Sequence, residues 1–460
     1  MLDINFIREN SKKIKKAVKD KGIQVDIDKL LEVDDKRREI IGKIDALRAE
    51  RNKISSGVGS GFKPEPENSR KKGSRFNLEP TRATKTVVSK AKKIKKDLSR
   101  LEQEYSKIKL AYDSLMAKVP TIPSPDTPIG NSDKQNKEIY RKGKIPKFKF
   151  TPKDHIQIGK DLSILDLEKG VKVGGYRGYY VKGEGALILM GLMIHALLKL
   201  VKKGFEPMIP PTLVKGFALF GSGYFKGLEY NPEIDEIYQL ATSDKEIGGA
   251  VSKEKKFLVG TAEPSLLAYF ANEVANEKDL PIRVCGFSQC YRSEIGSYGK
   301  DTKGIYRVHE FMKVEQVILS KASVAETDKL QKEMISISEE LHKELGLPYR
   351  KLQICTGDMG VGKYKMFDLE AWMPGLNRWG ETCSASNFLD WQSRRLNVKY
   401  VDKKGEKKFV YMLNNTALAT PRTFIAILEN YQQKDGSVLV PKVLQRYVGK
   451  KVIRPKNLKK

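Results

Sequence analysis

The apolar positions between residues 33 and 115 fall into two ladders. Val87, Ala91, Ile94, Leu98, Leu101, Tyr105, Ile108, Tyr112 and Leu115 recur at spacings of four and three, and Val33, Arg37, Ile40, Ile44, Leu47, Arg51 and Ile54 form a partner seam. This is the pattern of a coiled coil. A Gly/Pro/Ser/Lys-rich stretch from about Ser55 to Arg82 joins the two, so the helices can fold back antiparallel, each roughly 40–50 Å long at 1.5 Å per residue. Val119 to Pro128 holds four prolines and cannot continue a helix. From about Pro152, helical patterns mix with Val/Ile/Tyr-rich strands without regular βα alternation, which predicts an α+β body on an antiparallel sheet. The expected domains are an N-terminal helical arm at 1–118 with a long flexible basic tip at about 55–82, a linker at 119–150, and a body at 151–460 ending in a basic tail.

A second pattern has period two. Tyr291 to Val317 places two β-prone runs around a loop carrying Gly296, Gly299 and Gly304, which predicts a long-looped hairpin. Strand side chains alternate faces. Arg292 and Glu294 then share one face of the first strand. Arg307, His309, Phe311, Lys313 and Glu315 share one face of the return strand, while Val308, Met312 and Val314 turn to a core. Fixed charges around an aromatic ring suit an anionic planar ligand such as a nucleotide, although a lone hairpin of this kind also reads as an ordinary solvated face. Further on, the strand-like Phe409–Leu413 leads into Asn414 to Gln433. Thr420 is the predicted N-cap with Pro421 at the first helical position. Phe424, Ile427, Leu428 and Tyr431 form a buried stripe, and Arg422 stays in the first turn beside a helix N-terminus that favours phosphate. Upstream, Gly204 to Leu213 follows a helix and leads into a strand.

Composition narrows the partner. A chain of 460 residues implies two or three domains, and its formal charge of +29 implies a polyanion, either nucleic acid or a membrane surface. The charge is clustered: residues 63–98 hold twelve Lys/Arg against four Asp/Glu, and the last eleven hold six Lys/Arg and no acid. Cys285, Cys290, Cys355 and Cys383 have no paired-ligand spacing and the four histidines are scattered, which argues against a disulfide framework or a Cys/His zinc site. Met1-Leu-Asp-Ile has no secretory leader pattern. Ala186–Leu198, the longest apolar run, is too short to span a bilayer and is interrupted by His195, so it reads as a core helix. A cytoplasmic protein without membrane association is expected.

The Gly204–Leu213, Tyr291–Val317 and Asn414–Gln433 segments together resemble the three signature motifs of class II aminoacyl-tRNA synthetases, with Pro211 and Arg422 at motif positions. Met1–Asn10, Leu47–Ser55, Thr261-Ala-Glu263, Ser386–Arg395 and Glu429–Gln433 are similar, in order, to segments of the seryl-tRNA synthetase family. The resemblance runs from the first residue to about residue 449. It implies a homodimer, ATP with Mg²⁺, L-serine and tRNA(Ser) as partners, with tRNA(Sec) a further acceptor in view, and a helical arm that grips the long variable arm of the tRNA. The Ser69–Arg75 cluster within the arm's tip reads either as a phosphate-contacting tip or as a disordered loop.

The resemblance also carries roles. Arg292 would bridge the α-phosphate and the serine carboxylate, Glu294 would fix adenine, Phe311 would stack on it, and Ser293 and the Val308 backbone would lie close. Arg422 would hold the far phosphates. Glu381 and Ser384, in Glu381-Thr382-Cys383-Ser384, match the metal-binding positions, with Thr382 and Cys383 beside ATP; Cys383 replaces a common serine. Thr261 and Glu263 would meet the substrate amino group, and Ala262, Glu315 and Thr416 would bind the serine. Asn415 stands where glycine is frequent and Thr416 where serine is, which bears on pocket geometry. Three other readings were open to the motifs: a paralogue acting on a carrier protein, which should lack the arm; a non-catalytic binding module, which should have lost Arg292 or Arg422; and a class II enzyme for threonine or proline.

Overall fold

Asp3 accepts hydrogen bonds from the backbone N–H groups of Asn5 and Phe6 and so starts α1 (Ile4–Glu9), which runs into α2 (Ser11–Asp20). The two apolar ladders then become α3 (Ile27–Gly59) and α4 (Arg82–Met116). Ile40, Ile44, Ile94, Leu98 and Leu101 bury one another, with Leu47, Ile54, Tyr105 and Ile108 packed alongside. Arg37 lays its guanidinium 4.5 Å from the centre of the Tyr112 ring, Arg48 pairs with Glu102 at 2.9 Å, and Glu50 with Lys90 at 2.9 Å. Partners ascend on one helix as they descend on the other, so the pair is antiparallel. Arg51 is exposed and stands outside the seam.

The computed structural model describes residues 1–59, 82–241, 254–295, 301 and 303–455. The middle of the basic tip, including Ser69–Arg75, lies outside the described residues, as do Gly296, Gly299 and the end of the basic tail. The chain separates into two units, 25–117 and a larger one made of 1–24 with 118–460.

The larger unit is built on eight strands: β1 (Lys137–Lys142), β2 (Glu206–Met208), β3 (Ile282–Tyr291), β4 (Glu310–Ser320), β5 (Tyr349–Gln353), β6 (Lys365–Met373), β7 (Arg378–Leu389) and β8 (Tyr411–Ala419). Their order is β1-β5-β6-β7-β8-β4-β3-β2, antiparallel throughout except for the β2–β3 pair. The stretch read as a linker thus supplies the edge strand β1. Among the helices of this unit, those that pack on the sheet or border the site are α5 (Glu184–Lys202), α6 (Glu263–Ala268), α7 (Val324–Glu344), α8 (Trp391–Leu396) and α9 (Thr420–Asn430). One sheet face packs on α5, α7 and α9 through Leu192, Leu200, Met334, Leu341, Phe424 and Ile427, which meet Val314, Ile318 and Leu413. On the other face, Val317, Leu319 and Met412 pack under α6 at one end, and the other end is open.

Helix α5 outruns its apolar core and reaches 19 residues, long and apolar enough to cross a membrane by length and composition. Its inner face is buried in the main core through Ile188, Leu192, Ala196 and Leu200, as read from sequence. Its outer face is a stripe of exposed apolar residues: Leu187, Met190, Ile194, Leu198 and Val201.

Candidate active site

Strand β4 shows how the sequence builds the site. Met312, Val314 and Ile318 enter the main core; on the opposite face, Phe311, Lys313 and Glu315 enter the open end. The ladder pairs Tyr291 with Glu310. It continues past the strand ends through the Arg292 N–H to the His309 carbonyl at 2.9 Å and His309 Nδ1–H to the Arg292 carbonyl at 2.8 Å. The expectation that Arg292 and Glu294 sit within the first strand, and Arg307 and His309 within the second, is corrected here: β3 ends at Tyr291 and β4 begins at Glu310. Glu294 has φ +56°, a turn conformation that ends the alternation. Its carboxylate accepts from Arg307 at 2.7 Å.

Helix α9 faces this hairpin across the cleft. It begins at Thr420 with Ala419 as N-cap, so the predicted Thr420 cap is displaced by one residue and Pro421 takes the second helical position. The Thr420 hydroxyl is drawn off to the backbone of Met312, accepting from its N–H at 3.2 Å and donating to its carbonyl at 2.9 Å. This ties the helix start to β4. Arg422 then points into the cleft, donating to Glu381 Oε2 at 3.0 Å and stacking 4.6 Å from the centre of the Tyr306 ring.

The cleft has about 510 Å³ of open space. Of the sequence-predicted residues it brings together Arg292, Glu294, Val308, Phe311, Glu381, Thr382, Thr416 and Arg422. The Arg292 guanidinium lies 5.3 Å from the Phe311 ring centre, leaving a cationic and an aromatic group side by side. Cys383 does not reach the cleft: it is buried with Ile335, Tyr349 and Leu369, and its thiol donates to the Ala417 carbonyl. Ser293 is adjacent in sequence only; its hydroxyl is buried without a partner among the described residues.

A β-bulge explains the acidic wall. Glu381 and Ser384 are three apart, which in a regular strand would put them on opposite faces. The β6–β7 register pairs Glu370 with Glu381 and Asp368 with Ser384, and slips between them, so Thr382 is the extra residue. Thr382 turns its hydroxyl to His342 and the Leu369 carbonyl. Asp368, Glu370, Glu381 and Ser384 consequently share a face. Burial pushes the Glu381 carboxyl up, but Arg422 and Arg292 outweigh it and hold it below the ordinary range. Burial, and then Glu381, push Asp368 well up, against the Ser384 hydrogen bond. One Asp368 oxygen is buried with no partner among the described residues. Hard oxygen donors around an unsatisfied carboxylate fit Mg²⁺, which takes few protein ligands and completes its shell with water and phosphate. Among the described residues no group of three or more His, Cys, Asp or Glu forms a closed metal cage.

Lys313 and Thr416 of the cleft lining lead into a buried polar chamber. Glu315 Oε2 accepts from Lys313 Nζ at 2.6 Å, Thr261 at 3.2 Å and Thr416 at 3.4 Å. Glu263, at the start of α6, accepts from Gln392 at 2.7 Å, Asn414 at 2.6 Å and Tyr224 at 3.3 Å. Burial, and then the Glu315 charge, push its carboxyl up to about 7. Arg292 joins chamber and cleft through its Nε–H to the Gly260 carbonyl, 3.2 Å. Ala262 turns its side chain into the neighbouring core and can serve the chamber only through its backbone. Asn415 points away, to the Met334 carbonyl and Ser338 on α7, so it leaves the pocket's shape alone.

Lys313 was set on the charged face but given no role of its own, and Asp368, Tyr306, Tyr224, Gln392 and Asn414 were given none. Lys313 carried a signal, two residues before Glu315 in a period-two strand. Asp368 carried none, since its strand was not singled out. Tyr224 comes from a distant segment and carried none.

Residues 1–123 match the seryl-tRNA synthetase N-terminal domain model, and 250–431 match the tRNA synthetase class II core domain model (G, H, P, S and T). The chain is 42% identical to the serine–tRNA ligase of Borrelia garinii subsp. bavariensis over 454 residues, 98% of each chain. The chain belongs to the seryl-tRNA synthetase family. Two solved members of that family resemble it along nearly its whole length. The Pyrococcus horikoshii seryl-tRNA synthetase complexed with ATP has a TM-score of 0.81 at 36% identity, covering 99% of this chain and 100% of its own. The cytoplasmic serine–tRNA ligase of Naegleria fowleri in complex with AMP has a TM-score of 0.79 at 31% identity, covering 99% of each chain. Family membership accounts for both the helical hairpin and the antiparallel core, and removes the carrier-protein, threonine and proline readings.

Proposed function

We propose that this chain activates L-serine with ATP and then transfers the seryl group to tRNA(Ser). In the first step a serine carboxylate oxygen attacks the α-phosphorus, the bond to the β-phosphate breaks, and pyrophosphate leaves. In the second, a ribose hydroxyl at the tRNA terminus attacks the seryl carbonyl and AMP leaves. Attack by an ionised carboxylate asks for alignment and charge neutralisation more than for proton transfer. Arg292, between chamber and cleft, is placed to hold the serine carboxylate against the α-phosphate, and its planar fork suits both. Phe311 offers its ring to adenine, Glu294 the exocyclic edge, and Arg422 the outer phosphates. Bound at Glu381 and Ser384, with Asp368 behind, Mg²⁺ would neutralise phosphate charge.

The observation that carries the serine assignment is the chamber. Glu315 has an ammonium and two hydroxyls on one oxygen, which leaves the other to accept the substrate hydroxyl. Alanine would leave that acceptor unpaired, and threonine's extra methyl would meet the chamber wall. Glu263 is placed for the substrate ammonium. Pyrophosphate exchange across the amino acids tests this: exchange is expected with serine and without tRNA, and equal exchange with alanine or glycine would sink the assignment.

The same reading makes the protein a cytoplasmic homodimer. The outer stripe of α5 and the segment after it, where Ile209 is 89% exposed, would face a second copy. Helices α3 and α4, with the basic cluster around them, would take the tRNA's long variable arm.

A further inference from the structure

Five consecutive backbone carbonyls ahead of β6 are taken up by residues flanking the helical hairpin. The buried Lys21 side chain donates to the carbonyls of Lys363 at 2.6 Å, Val361 at 3.0 Å and Gly360 at 3.3 Å. The Thr121 hydroxyl donates to the Gly362 carbonyl at 2.8 Å and its N–H to that of Val361 at 3.1 Å, while the Ser124 N–H reaches the Tyr364 carbonyl at 2.8 Å. Lys21 stands shortly before α3 and Thr121 shortly after α4. The loop is backed as well: a Cβ at Gly362 would come within 2.5 Å of the Trp391 ring. Buried carbonyls and a buried amine are each costly alone, so the contact is held by mutual satisfaction.

The loop carries one charge toward the site. Lys363 Nζ lies 3.2 Å from Met366 Sδ, and Met366 stands in one ladder row with Ser386 and Asn414, whose amide donates to Glu263, so the ammonium lies on the sheet face that carries the site. We infer that Lys21 and Thr121 are positioning residues for serine recognition: within the larger unit, from either side of residues 25–117 in sequence, they hold the 360–364 loop where the Lys363 ammonium acts on the Glu263 carboxylate. The inference rests on Glu263 receiving the serine ammonium. Facing Glu263 are Glu315 and Lys313 from β4, Lys363 from the loop, Tyr224 from the segment after the short helix Gly216–Ser222, and the neutral amides of Gln392 and Asn414. Lys313 is already paired with Glu315, so Lys363 is the cation whose placement depends on the clamp.

The test is the pH dependence of the serine KM, read by pyrophosphate exchange in full-length enzyme. Lys363→Met should move the pH below which KM climbs upward by about half a unit, roughly threefold in KM on that limb. Lys21→Met and Thr121→Val should shift it in the same direction with kcat unchanged, Lys21→Arg should restore it, and Lys21→Met with Lys363→Met should shift it no further than the larger single change. A Lys363→Met profile that superimposes on the wild type overturns the inference, as do additive shifts. Should Lys21→Met fail to fold, Thr121→Val and Lys363→Met decide alone. Glu263→Gln run in parallel separates the two readings, because an unchanged serine KM there overturns the amino-group assignment itself, whereas a raised KM beside unmoved lysine variants overturns only the clamp.

Discussion

Glu315 and Glu263 share one chamber and are held in opposite ways. Glu315 has an ammonium at 2.6 Å, while Glu263, among the described residues, accepts from two amides and a phenol. Its carboxyl, raised to about 7, binds a proton between pH 4.5 and 7 that the unfolded chain does not. It therefore costs stability increasingly as pH rises through that window, and most above 7. Two outcomes follow from the sign. Serine binding below pH 7 should release a proton, seen as a buffer-dependent heat in titration calorimetry, and the serine KM should climb as pH falls below 7. Glu263→Gln should raise the Tm at pH 8 while weakening serine binding by about 10–100-fold, the worth of a hydrogen bond to a charged group; a lowered Tm at pH 8 would show that the carboxylate is not held at a cost. Arg292→Ala should lose on the order of 10²–10³-fold in exchange rate, as expected for one electrostatic transition-state contact. A variant keeping most of its rate would remove Arg292 from the bridging position.

Among the elements, β4 was legible because alternation is a local rule: Phe311, Lys313 and Glu315 could be set on one face by counting. The acidic wall was not legible from spacing. Glu381 and Ser384 meet on one face only because Thr382 is bulged out, and a bulge is settled by the partner strand and by His342, both remote in sequence. The cap at Thr420 failed for a similar reason, since a hydroxyl free to cap was claimed by the Met312 backbone. The bulge has a measurable consequence. Glu381→Gln should raise the Mg²⁺ concentration needed for half-maximal exchange about tenfold or more and weaken Mn²⁺ binding followed by paramagnetic resonance, with the serine KM little changed. Equal Mn²⁺ affinity in the variant would move the metal elsewhere.

Over the whole molecule, the unit 25–117 buries its own seam. Replacing it by a short linker should leave serine activation intact, since the cleft and chamber draw every contact from residues beyond 223. Charging of tRNA should be lost, and tRNA binding by the intact enzyme should weaken steeply with salt through counterion release. A truncated enzyme that charges tRNA as well as the full chain would leave the hairpin a structural rod. The α5 stripe is checked by Met190→Lys with Ile194→Lys, expected to turn a dimer into an inactive monomer in sedimentation; an active monomer at assay concentration overturns the dimer.

The docking of Lys21 also dictates an order of events at the ribosome. The loop that receives it is 339 residues later in the chain. At about 5–20 residues per second, the first two helices emerge roughly 15–70 s before their seat exists. The helical hairpin, whose contacts are all near in sequence, can close during that wait. Synthesis thus finishes one unit between the two halves of the other, and the enzyme's first residues are among the last to reach their native place.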